Sequence, residues 1–517
     1  MRARDLPLHY NASEILDGNL EERPDKVALV SAERSMTFGE AAAEANRVGN
    51  ALLKLGVRAG DCVALLSLDG AEWVSVFFGT LRLGAISVGL NTLLTEKDYA
   101  YMLDDCRARV LVVHETLWSK VASVVSDSDT IEHVIIIGAG NDHATGFAEW
   151  IVDASDRLPA ARTHREDFCT LNYSSGTTGE PKGILHAHKD LALTAVHSGQ
   201  ESLGLKEDDR TFAAAKLFFT FGTGGNLVFP WTVGASIVLF SGSPRVATDI
   251  LATIERFEPT VLFHTPTGYA MSLALPDLER RYDLSSLRLC VSGGERLPAA
   301  IWEEWKARTG LTILDGIGAT EVFHNFLCNP ENAVRPGSSG KPVAGYDARI
   351  VDDAGAELEV GEVGNLMIRG ESVALSYWHQ YERSREAFRG EWFFTGDKYR
   401  VDEDGYYWNE GRTDDMLKVG GIWVSPLEVE GTLIGHEAVA ECAVVGVRDG
   451  SELVKPKAYV VLRSTFEPGD ALERALIEHC RERMAAYKRP RRIAFVTELP
   501  KTATGKIKRY ELRRETS

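Results

Sequence analysis

Long apolar runs are absent from this sequence. No stretch of the 517-residue sequence reaches the roughly 18 consecutive apolar residues that a transmembrane helix needs. The chain opens with Arg2 and Arg4 among mixed residues, rather than with the apolar core of a secretion signal. We therefore expect a cytoplasmic protein that binds no membrane.

Positive charge is also scarce. The sequence has 57 lysines and arginines against 75 aspartates and glutamates, which gives a formal net charge of −18 at pH 7. Nucleic acids and anionic lipids bind surfaces that are rich in basic residues, because such surfaces displace counterions. The charge balance excludes a general nucleic-acid-binding surface and leaves room only for a local basic pocket that binds phosphate.

Cysteines are few and scattered. There are seven of them, an odd number, and no two form a CxxC pair. A disulfide framework or a zinc knuckle requires regular pairs, so the pattern excludes both and predicts buried, reduced thiols. The seven are Cys62, Cys106, Cys169, Cys290, Cys328, Cys442 and Cys480.

The residues that are present indicate an α/β protein with more than one domain. A chain of 517 residues, of which 44% are hydrophobic, is globular and longer than one hydrophobic core usually organises. Short β-branched runs alternate with helix-like segments such as 38–55, where apolar residues recur at helical spacing. This alternation predicts mostly parallel sheets with helices on their faces. The runs are 27–30, 62–66, 110–113, 134–137, 236–239, 261–263 and 287–291.

The pattern changes after about residue 340. Turn-rich hairpins near 348–351 and 399–402 predict a β-rich subdomain. From Gly411 the sequence becomes polar and then carries its own βα pattern, which predicts a small α+β domain. We therefore expect a large N-terminal domain over residues 1–412, with parallel sheets flanked by helices plus the β-rich subdomain, and a C-terminal domain over residues 413–517.

A glycine- and hydroxyl-rich segment follows the predicted strand 168–173. It reads Ser174-Ser-Gly-Thr-Thr-Gly-Glu-Pro-Lys-Gly183. Its glycines let the backbone approach an anion, its hydroxyls donate hydrogen bonds and Lys182 adds a positive charge, so the segment suits a polyphosphate. The order of Lys182 and Gly183 differs from a Walker A loop, and a flexible surface turn is the alternative. The candidate phosphate ligands are Ser174, Ser175, Gly176, Thr177, Thr178, Gly179 and Lys182.

Further motifs follow in order along the chain. Asp315-Gly-Ile-Gly-Ala-Thr-Glu321 combines a strand end, glycines and a carboxylate, which suits a metal–nucleotide site because Mg²⁺ prefers few carboxylates plus phosphate oxygens. Thr395-Gly-Asp397 offers a two-oxygen acceptor of the kind that binds a pair of ribose hydroxyls. Viewed alone, the motif at 315–321 is explained equally well as an acidic turn. The remaining motifs are Ser292-Gly-Gly-Glu295, Gly411-Arg-Thr-Asp-Asp415 and Leu499-Pro-Lys-Thr-Ala-Thr-Gly-Lys506.

Taken together and in this order, the motifs resemble those of the adenylate-forming superfamily, which includes acyl-CoA synthetases, nonribosomal adenylation domains and firefly luciferase. The resemblance extends over essentially the whole chain. It implies that Lys506, Thr320 and Glu321 are catalytic and that Glu321 holds Mg²⁺. It also implies that the phosphate segment is joined in the ATP/AMP site by Gly294, Glu295, Asp315, Gly316, Thr320, Asp397 and Arg412.

The resemblance also implies a mobile C-terminal domain. Asp414 corresponds to the pivot about which that domain rotates in relatives, and Lys418, Gly420 and Gly421 correspond to part of the tunnel for coenzyme A. Without the surrounding motif, Lys506 would read as part of a solvated basic tail with Lys501, Lys508 and Arg509.

The segment 216–231 resembles the benzoate:CoA ligase branch in particular. So does His324, three residues after Glu321, where benzoate-type ligases place a histidine near the substrate carboxylate. Phe221 replaces a common tyrosine and Thr223 a larger aliphatic residue, which puts benzoate itself in doubt. The implied contacts of the acid are Phe219, Phe221, Gly222, Gly318 and His324, and packing in the core is the alternative for the two phenylalanines and the histidine.

The expected activity is therefore that of an ATP-dependent aryl carboxylate:CoA ligase. An aryl adenylate and pyrophosphate form first, and the aryl-CoA thioester and AMP form second. Benzoate, hydroxybenzoates, aminobenzoates and arylacetates such as indoleacetate all remain open as substrates, and we expect a monomer or homodimer. The rivals are an adenylating enzyme that loads a carrier protein and a catalytically inactive nucleotide-binding scaffold.

Lys506→Ala is expected to slow adenylation by roughly two orders of magnitude or more, because it removes a positive charge from the transition state. The conversion of preformed acyl adenylate into thioester should be largely spared. Pyrophosphate release and thioester formation, measured separately, check this expectation. An equal loss in both steps would contradict it.

Overall fold

The computed structural model describes residues 1–141, 144–174, 181–412, 415–419, 422–448, 454–486, 488–501 and 507–514. Within these ranges the chain forms two large sheets, a β-rich section and a small C-terminal domain, so the predicted α/β architecture is confirmed.

The first large sheet is parallel except at one edge. Its last two strands, Phe168–Ser174 and Lys182–Ala187, are antiparallel and flank the predicted phosphate segment. In spatial order its seven described strands are Thr145–Gly146, His133–Ile137, Val110–His114, Cys62–Leu66, Ile86–Gly89, Phe168–Ser174 and Lys182–Ala187.

The second large sheet has a parallel centre and antiparallel edges. Strands Leu289–Ser292 and Ile313–Gly318 are parallel neighbours, with Ser292 opposite Asp315. The carboxyl ends of parallel strands meet at one edge of a sheet, which is where α/β folds bind ligands. In spatial order its nine described strands are Lys341–Pro342, Asn325–Cys328, Ile313–Gly318, Leu289–Ser292, Val261–His264, Arg210–Ala213, Ser236–Val238, Val27–Val30 and Ser35–Thr37.

The β-rich section is antiparallel throughout. Its long strand Trp392–Val401 pairs on one side with Tyr407–Arg412, which places Asp397 opposite Arg412. The strands of this section are Tyr346–Val351, Gly364–Gly370, Phe388–Arg389, Trp392–Val401 and Tyr407–Arg412.

The C-terminal domain starts with a two-stranded hairpin and continues into a three-stranded sheet. Its helix Asp470–Arg483 packs beside the helix Pro426–Ile434 and covers one face of that sheet. The strands are Leu417–Val419, Ile422–Val424, Val439–Arg448, Val454–Leu462 and Arg492–Phe495.

Helices cover both large sheets, and local sequence fixes where they begin. In the longest described helix, Phe38–Lys54, Thr37 accepts a hydrogen bond from the Glu40 amide at 3.2 Å while the Glu40 carboxylate accepts from the Thr37 amide at 2.8 Å. This reciprocal pair satisfies amides that the first helical turn leaves without partners. The other α-helices are Glu14–Asp17, Ala71–Arg82, Glu96–Asp105, Ala122–Ser126, Phe147–Ile151, His188–Thr194, Thr220–Thr223, Phe229–Thr232, Ala247–Phe257, Pro266–Leu273, Leu278–Arg281, Ala299–Thr309, Tyr381–Ala387, Pro426–Ile434, Asp470–Arg483 and Arg509–Arg514.

The hydrophobic core is shared by both large sheets. One cluster extends from Leu16 through Phe78 and Trp231 to Tyr399, so the sheets and the β-rich section pack as one unit. The C-terminal domain has a separate core around Val444 and Leu476. All seven cysteines are buried and carry no disulfide, as the sequence predicts. None of the described helices is long and apolar enough to cross a membrane.

A buried ion pair lies inside the C-terminal domain. Arg509 donates to both oxygens of Glu430, at 2.9 and 2.8 Å, and Glu430 also accepts from the Val444 amide at 2.7 Å. Burial raises the pKa of Glu430, and Arg509 opposes this rise. The pair joins the last helix of the chain to the first helix of the domain.

Arg509→Met is expected to destabilise the C-terminal domain by about 3–5 kcal/mol, because it leaves the Glu430 carboxylate buried without its cationic partner. Thermal unfolding followed by circular dichroism measures the effect. Arg481→Met is the matched control, since Arg481 is 65% exposed and pairs with Glu478 on the helix surface. Equal melting temperatures for the two variants would contradict the prediction.

Candidate active site

The phosphate segment lies between two antiparallel strands. Ser174, at the end of the first strand, pairs with Lys182, at the start of the second strand. The two ends of the segment are therefore adjacent in space. The hairpin therefore fixes both ends of the predicted loop. The predicted ligands Ser175, Gly176, Thr177, Thr178 and Gly179 lie outside the described residues.

Lys182 lies over an aromatic ring. Its ammonium is 4.7 Å from the centroid of the Tyr377 ring. Burial lowers the pKa of Lys182, Glu321 opposes this effect, and Arg412 and Arg383 lower the pKa further. Lys182 therefore faces a cluster of positive charges in which an anionic ligand would be stabilised.

Glu321 lies at the other end of the same tyrosine. The Tyr377 hydroxyl donates to Glu321 Oε1 at 2.7 Å, and the Glu321 side chain is largely buried. The carboxylate belongs to a short helical turn, Thr320–Val322, that follows the strand Ile313–Gly318. The structure thus brings Lys182 and Glu321, which are 139 positions apart in the sequence, to one phenol ring.

A buried histidine fixes the backbone of this turn. His186 Nε2 lies 2.7 Å from the Thr320 carbonyl oxygen, and His186 Nδ1 lies 3.2 Å from the Asp190 carboxylate. His186 belongs to the strand that begins at Lys182. The phosphate hairpin and the Thr320–Val322 turn are therefore held together directly.

Asp397 and Arg412 face each other across two strands of the β-rich section. Arg412 Nη1 lies 3.3 Å from Asp397 Oδ1, and the Asp397 amide donates to Thr395 Oγ1 at 3.1 Å. A fixed carboxylate beside a guanidinium is suited to bind a pair of ribose hydroxyls.

Two adjacent strand ends present the residues predicted to surround adenine. Gly294 and Glu295 follow the strand Leu289–Ser292, and Asp315 and Gly316 lie in the neighbouring strand. Thr267 Oγ1 donates to Glu295 Oε2 at 2.8 Å. Burial raises the pKa of Asp315 to about 7.

A cluster of rings surrounds His324. The imidazole stacks on Phe221 with ring centroids 5.1 Å apart, and it meets Phe229 edge-on at 4.6 Å and Phe263 edge-on at 6.3 Å. The cluster also borders the nucleotide segment, because a Cβ added at Gly293 would lie 2.8 Å from Phe221 Cε2.

His324 is almost fully buried and neutral. Burial lowers the pKa of the imidazole to about 3, and the backbone of Phe221 opposes this only in part. Although the Phe221 backbone lies near the ring, neither ring nitrogen makes a hydrogen bond of normal geometry within the described residues. A buried polar group of this kind points to a ligand that completes its hydrogen bonds.

The segment that carries Phe221 is tightly folded. A Cβ at Gly222 would lie 2.1 Å from the Lys216 carbonyl oxygen, so only glycine closes this turn. The Thr223 hydroxyl is used within the turn, where it donates to the Leu217 carbonyl. A π-helical segment, Gly224–Val228, follows, and such segments recur at functional sites.

A second buried ion pair anchors the start of this turn. Lys216 Nζ lies 3.8 Å from Asp69 Oδ2, and the Leu217 amide donates to Asp69 Oδ1 at 3.1 Å. Burial raises the pKa of Asp69 to about 6, and Lys216 opposes the rise.

Two predicted acid contacts differ in their placement. Gly318 ends its strand opposite Asn325, directly beside the His324 backbone. Phe219 is half-buried, and among the described ring contacts it pairs with Phe218 at 4.5 Å rather than with the His324 cluster. The role of Phe219 stays a prediction.

Most of the predicted site residues of the C-terminal domain lie outside the residues that the structure describes. Asp414, Gly420, Gly421 and Lys506 lie outside the described residues. Lys418 is in the strand Leu417–Val419, and its side chain is outside the described part.

Sequence reasoning missed four side chains that the site contains. Tyr377, His186, Phe229 and Phe263 each contact a predicted site residue. Phe263 could have been predicted from the sequence, because it lies near the carboxyl end of a strand predicted to be parallel. Phe229 also carried a signal, because it lies within the segment 216–231 that resembles the benzoate:CoA ligase branch. His186 and Tyr377 carried none, since their contacts join segments far apart in sequence.

Comparison with known proteins agrees with this geometry. The family model described as AMP-binding enzyme matches residues 16–378, and the model described as AMP-binding enzyme C-terminal domain matches residues 428–506. The chain belongs to the AMP-binding enzyme family.

Within the AMP-binding enzymes, the chain falls in the benzoate:CoA ligase-like branch. It is 45% identical to a benzoate–CoA ligase of Thauera aromatica, over 98% of this chain and 96% of that protein. The crystal structure of the anthranilate CoA ligase AuaEII in complex with anthranoyl-AMP is 59% identical, with a TM-score of 0.98 and coverage of 100% of this chain and 99% of the other. A benzoate CoA ligase structure from Burkholderia xenovorans LB400 is 40% identical, with a TM-score of 0.91 and coverage of 98% and 100%.

Gly224→Ala is expected to impair binding of the acid while sparing ATP. The added Cβ would lie 2.6 Å from His324 Cδ2 and 3.1 Å from Phe229 Cζ, so the imidazole must move. Overpacking a dense site costs about 1–3 kcal/mol, so we expect KM for the acid to rise by about tenfold or more.

Steady-state kinetics with each substrate varied in turn measures this split. Gly469→Ala is the control, because a Cβ there meets no atom within 4 Å. An equal rise in KM for ATP would show that the change damages the fold rather than the acid site.

Proposed function

We propose that this chain is an AMP-forming ligase that joins an aryl carboxylic acid to coenzyme A in the cytoplasm. The acid and ATP form an aryl adenylate and pyrophosphate, and the thiol of coenzyme A then displaces AMP. The observation that carries the proposal is that the Phe221 ring, which stacks on His324, borders the predicted nucleotide segment at Gly293, because the two reacting groups must meet at such a border. Seven buried thiols without disulfides agree with a reducing compartment.

The first step has to bring two anions together. A carboxylate and a triphosphate repel each other, so positive groups must neutralise charge as the new bond to the α-phosphate forms. We assign Lys182, the loop hydroxyls from Ser174 onward and Lys506 to this task, with Thr320 at the α-phosphate. Asp397 and Arg412 orient the ribose, and Gly294, Glu295, Asp315 and Gly316 surround the adenine.

The residues present fit a magnesium ion that travels with ATP. Glu321 supplies one largely buried carboxylate, and Mg²⁺ typically binds one or two carboxylates together with phosphate oxygens and water. Among the described residues, no three His, Cys, Asp or Glu side chains are grouped so that they could hold a metal ion by themselves. When bound, the ion would neutralise charge on the phosphates.

For the second step we propose that the C-terminal domain, residues 413–517, rotates about Asp414. Arg412 ends a strand of the N-terminal domain, and the first C-terminal hairpin begins at Leu417. Among the described residues, two polar side-chain contacts join the domains in the present arrangement: Arg463 with Glu304 at 3.1 Å, and Arg296 with the Leu427 carbonyl at 3.0 Å. Both are partly exposed and so can break at small cost.

Rotation would bring Lys418, Gly420 and Gly421 to the acid site as walls of the coenzyme A tunnel. We expect the enzyme to work as a monomer or homodimer.

Among the acids that the sequence leaves open, we propose 2-aminobenzoate as the preferred substrate. The relative at 59% identity is an anthranilate CoA ligase. An ortho-amino group lies next to the carboxylate, and the neutral His324 has one unprotonated ring nitrogen that would accept a hydrogen bond from it. Phe221 adds no hydroxyl that would compete for the same histidine.

Pyrophosphate release across a panel of acids, with and without coenzyme A, tests the proposal. We expect kcat/KM for 2-aminobenzoate to exceed that for arylacetates and fatty acids by at least about tenfold. His324→Phe keeps a ring and removes the nitrogens. It should therefore bring the ratio of kcat/KM for 2-aminobenzoate to kcat/KM for benzoate close to one.

Other outcomes would contradict the proposal in distinct ways. A preference for a medium-chain fatty acid would overturn the aromatic substrate and leave adenylation intact. Adenylate that persists in the presence of free coenzyme A would favour loading of a carrier protein, and no pyrophosphate with any acid would favour an inactive scaffold.

A further inference from the structure

Tyr377 lies between the two charged side chains of the nucleotide site. Its ring face carries the Lys182 ammonium at 4.7 Å, and its hydroxyl donates to Glu321 Oε1 at 2.7 Å. One side chain thus makes a cation–π contact and a charge-assisted hydrogen bond at the same time.

The tyrosine is rigidly placed. Its backbone pairs with Ile184, two residues after Lys182, and its amide donates to Ser384 Oγ at 3.0 Å. Its ring packs with Ala374 and Phe388, and only 4% of the residue is exposed. The ring therefore has a fixed position relative to the phosphate hairpin.

A direct ion pair would otherwise be the natural arrangement of Lys182 and Glu321. Two opposite unit charges in a partly buried site attract strongly, because solvent screens them poorly. Such a pair would engage both groups that ATP and its metal need. In the described structure each charge is instead held by a different end of Tyr377.

We infer that Tyr377 is a positioning residue that keeps Lys182 and Glu321 apart, so that Lys182 stays available to phosphate and Glu321 to the metal ion. The inference rests on the proposed nucleotide site.

Two variants separate the two contacts. Tyr377→Phe keeps the ring under Lys182 and removes the hydroxyl from Glu321, whereas Tyr377→Leu removes both. Tyr407→Phe is the matched control, because it removes a buried hydroxyl that donates to the Ala348 carbonyl at 2.9 Å, in the β-rich section. Thermal unfolding establishes that each variant is folded.

Calorimetric titration with ATP, in the absence of any acid substrate, measures binding without turnover. For Tyr377→Phe we expect affinity to fall by about tenfold with Mg²⁺ present, the scale of one hydrogen bond to a charged group, and to stay unchanged without Mg²⁺. For Tyr377→Leu we expect losses under both conditions, because Lys182 then pairs with Glu321. Tyr407→Phe should match the parent protein throughout.

A double variant completes the test. If the hydroxyl acts through Glu321, Tyr377→Phe should add no further loss to Glu321→Gln. Additive losses, or an equal loss with and without Mg²⁺, would overturn the inference and indicate a packing role. If Glu321→Gln and Lys182→Met alone leave ATP binding unchanged, the nucleotide site itself is misassigned, and the inference fails with it.

Discussion

The parallel pairing of strands Leu289–Ser292 and Ile313–Gly318 is the constraint on which the site depends. Their register places Ser292 beside Asp315, so the segments that follow the two strands leave the sheet at one edge. One segment leads to Gly294 and Glu295, and the other leads through Glu321 to His324. Because both segments start from the same edge, the nucleotide side and the ring-lined side of the site share a border at Gly293 and Phe221.

Two buried ion pairs connect distant parts of the chain. Asp69 with Lys216 anchors the turn that carries Phe221, and Glu430 with Arg509 closes the C-terminal domain. A buried pair adds little net stability, because desolvation offsets attraction, but it strongly penalises any arrangement in which one partner is missing. Lys182 and Glu321 instead each contact Tyr377, the first at its ring face and the second at its hydroxyl.

Much of the fold and part of the site could be predicted from local pattern. The strand 168–173 and the helix 38–55 carry strong periodicity, and both appear within a residue of the predicted bounds. The likeness of residues 216–231 to a family motif pointed to Phe221, and the structure places that ring against His324. The same motif does not reveal that Phe219 turns toward Phe218, because that choice is made by packing. The left-handed φ of 74° at Phe323 is likewise invisible in the sequence, since tertiary contacts impose it.

By itself, the sequence determined the class of fold and the order of the motifs, and it predicted which residue types bind phosphate, ribose and metal. These properties are local, because they depend on spacing along a few residues and on the chemistry of single side chains. Only the tertiary structure decided which side chains hold those groups in place. Tyr377 meets Lys182 and Glu321, and His186 meets Thr320, because the phosphate hairpin, the Thr320–Val322 turn and the β-rich section converge in space. No periodicity encodes such contacts, since they arise from the packing of segments far apart in the sequence, 56 residues for Tyr377 and Glu321 and 134 residues for His186 and Thr320.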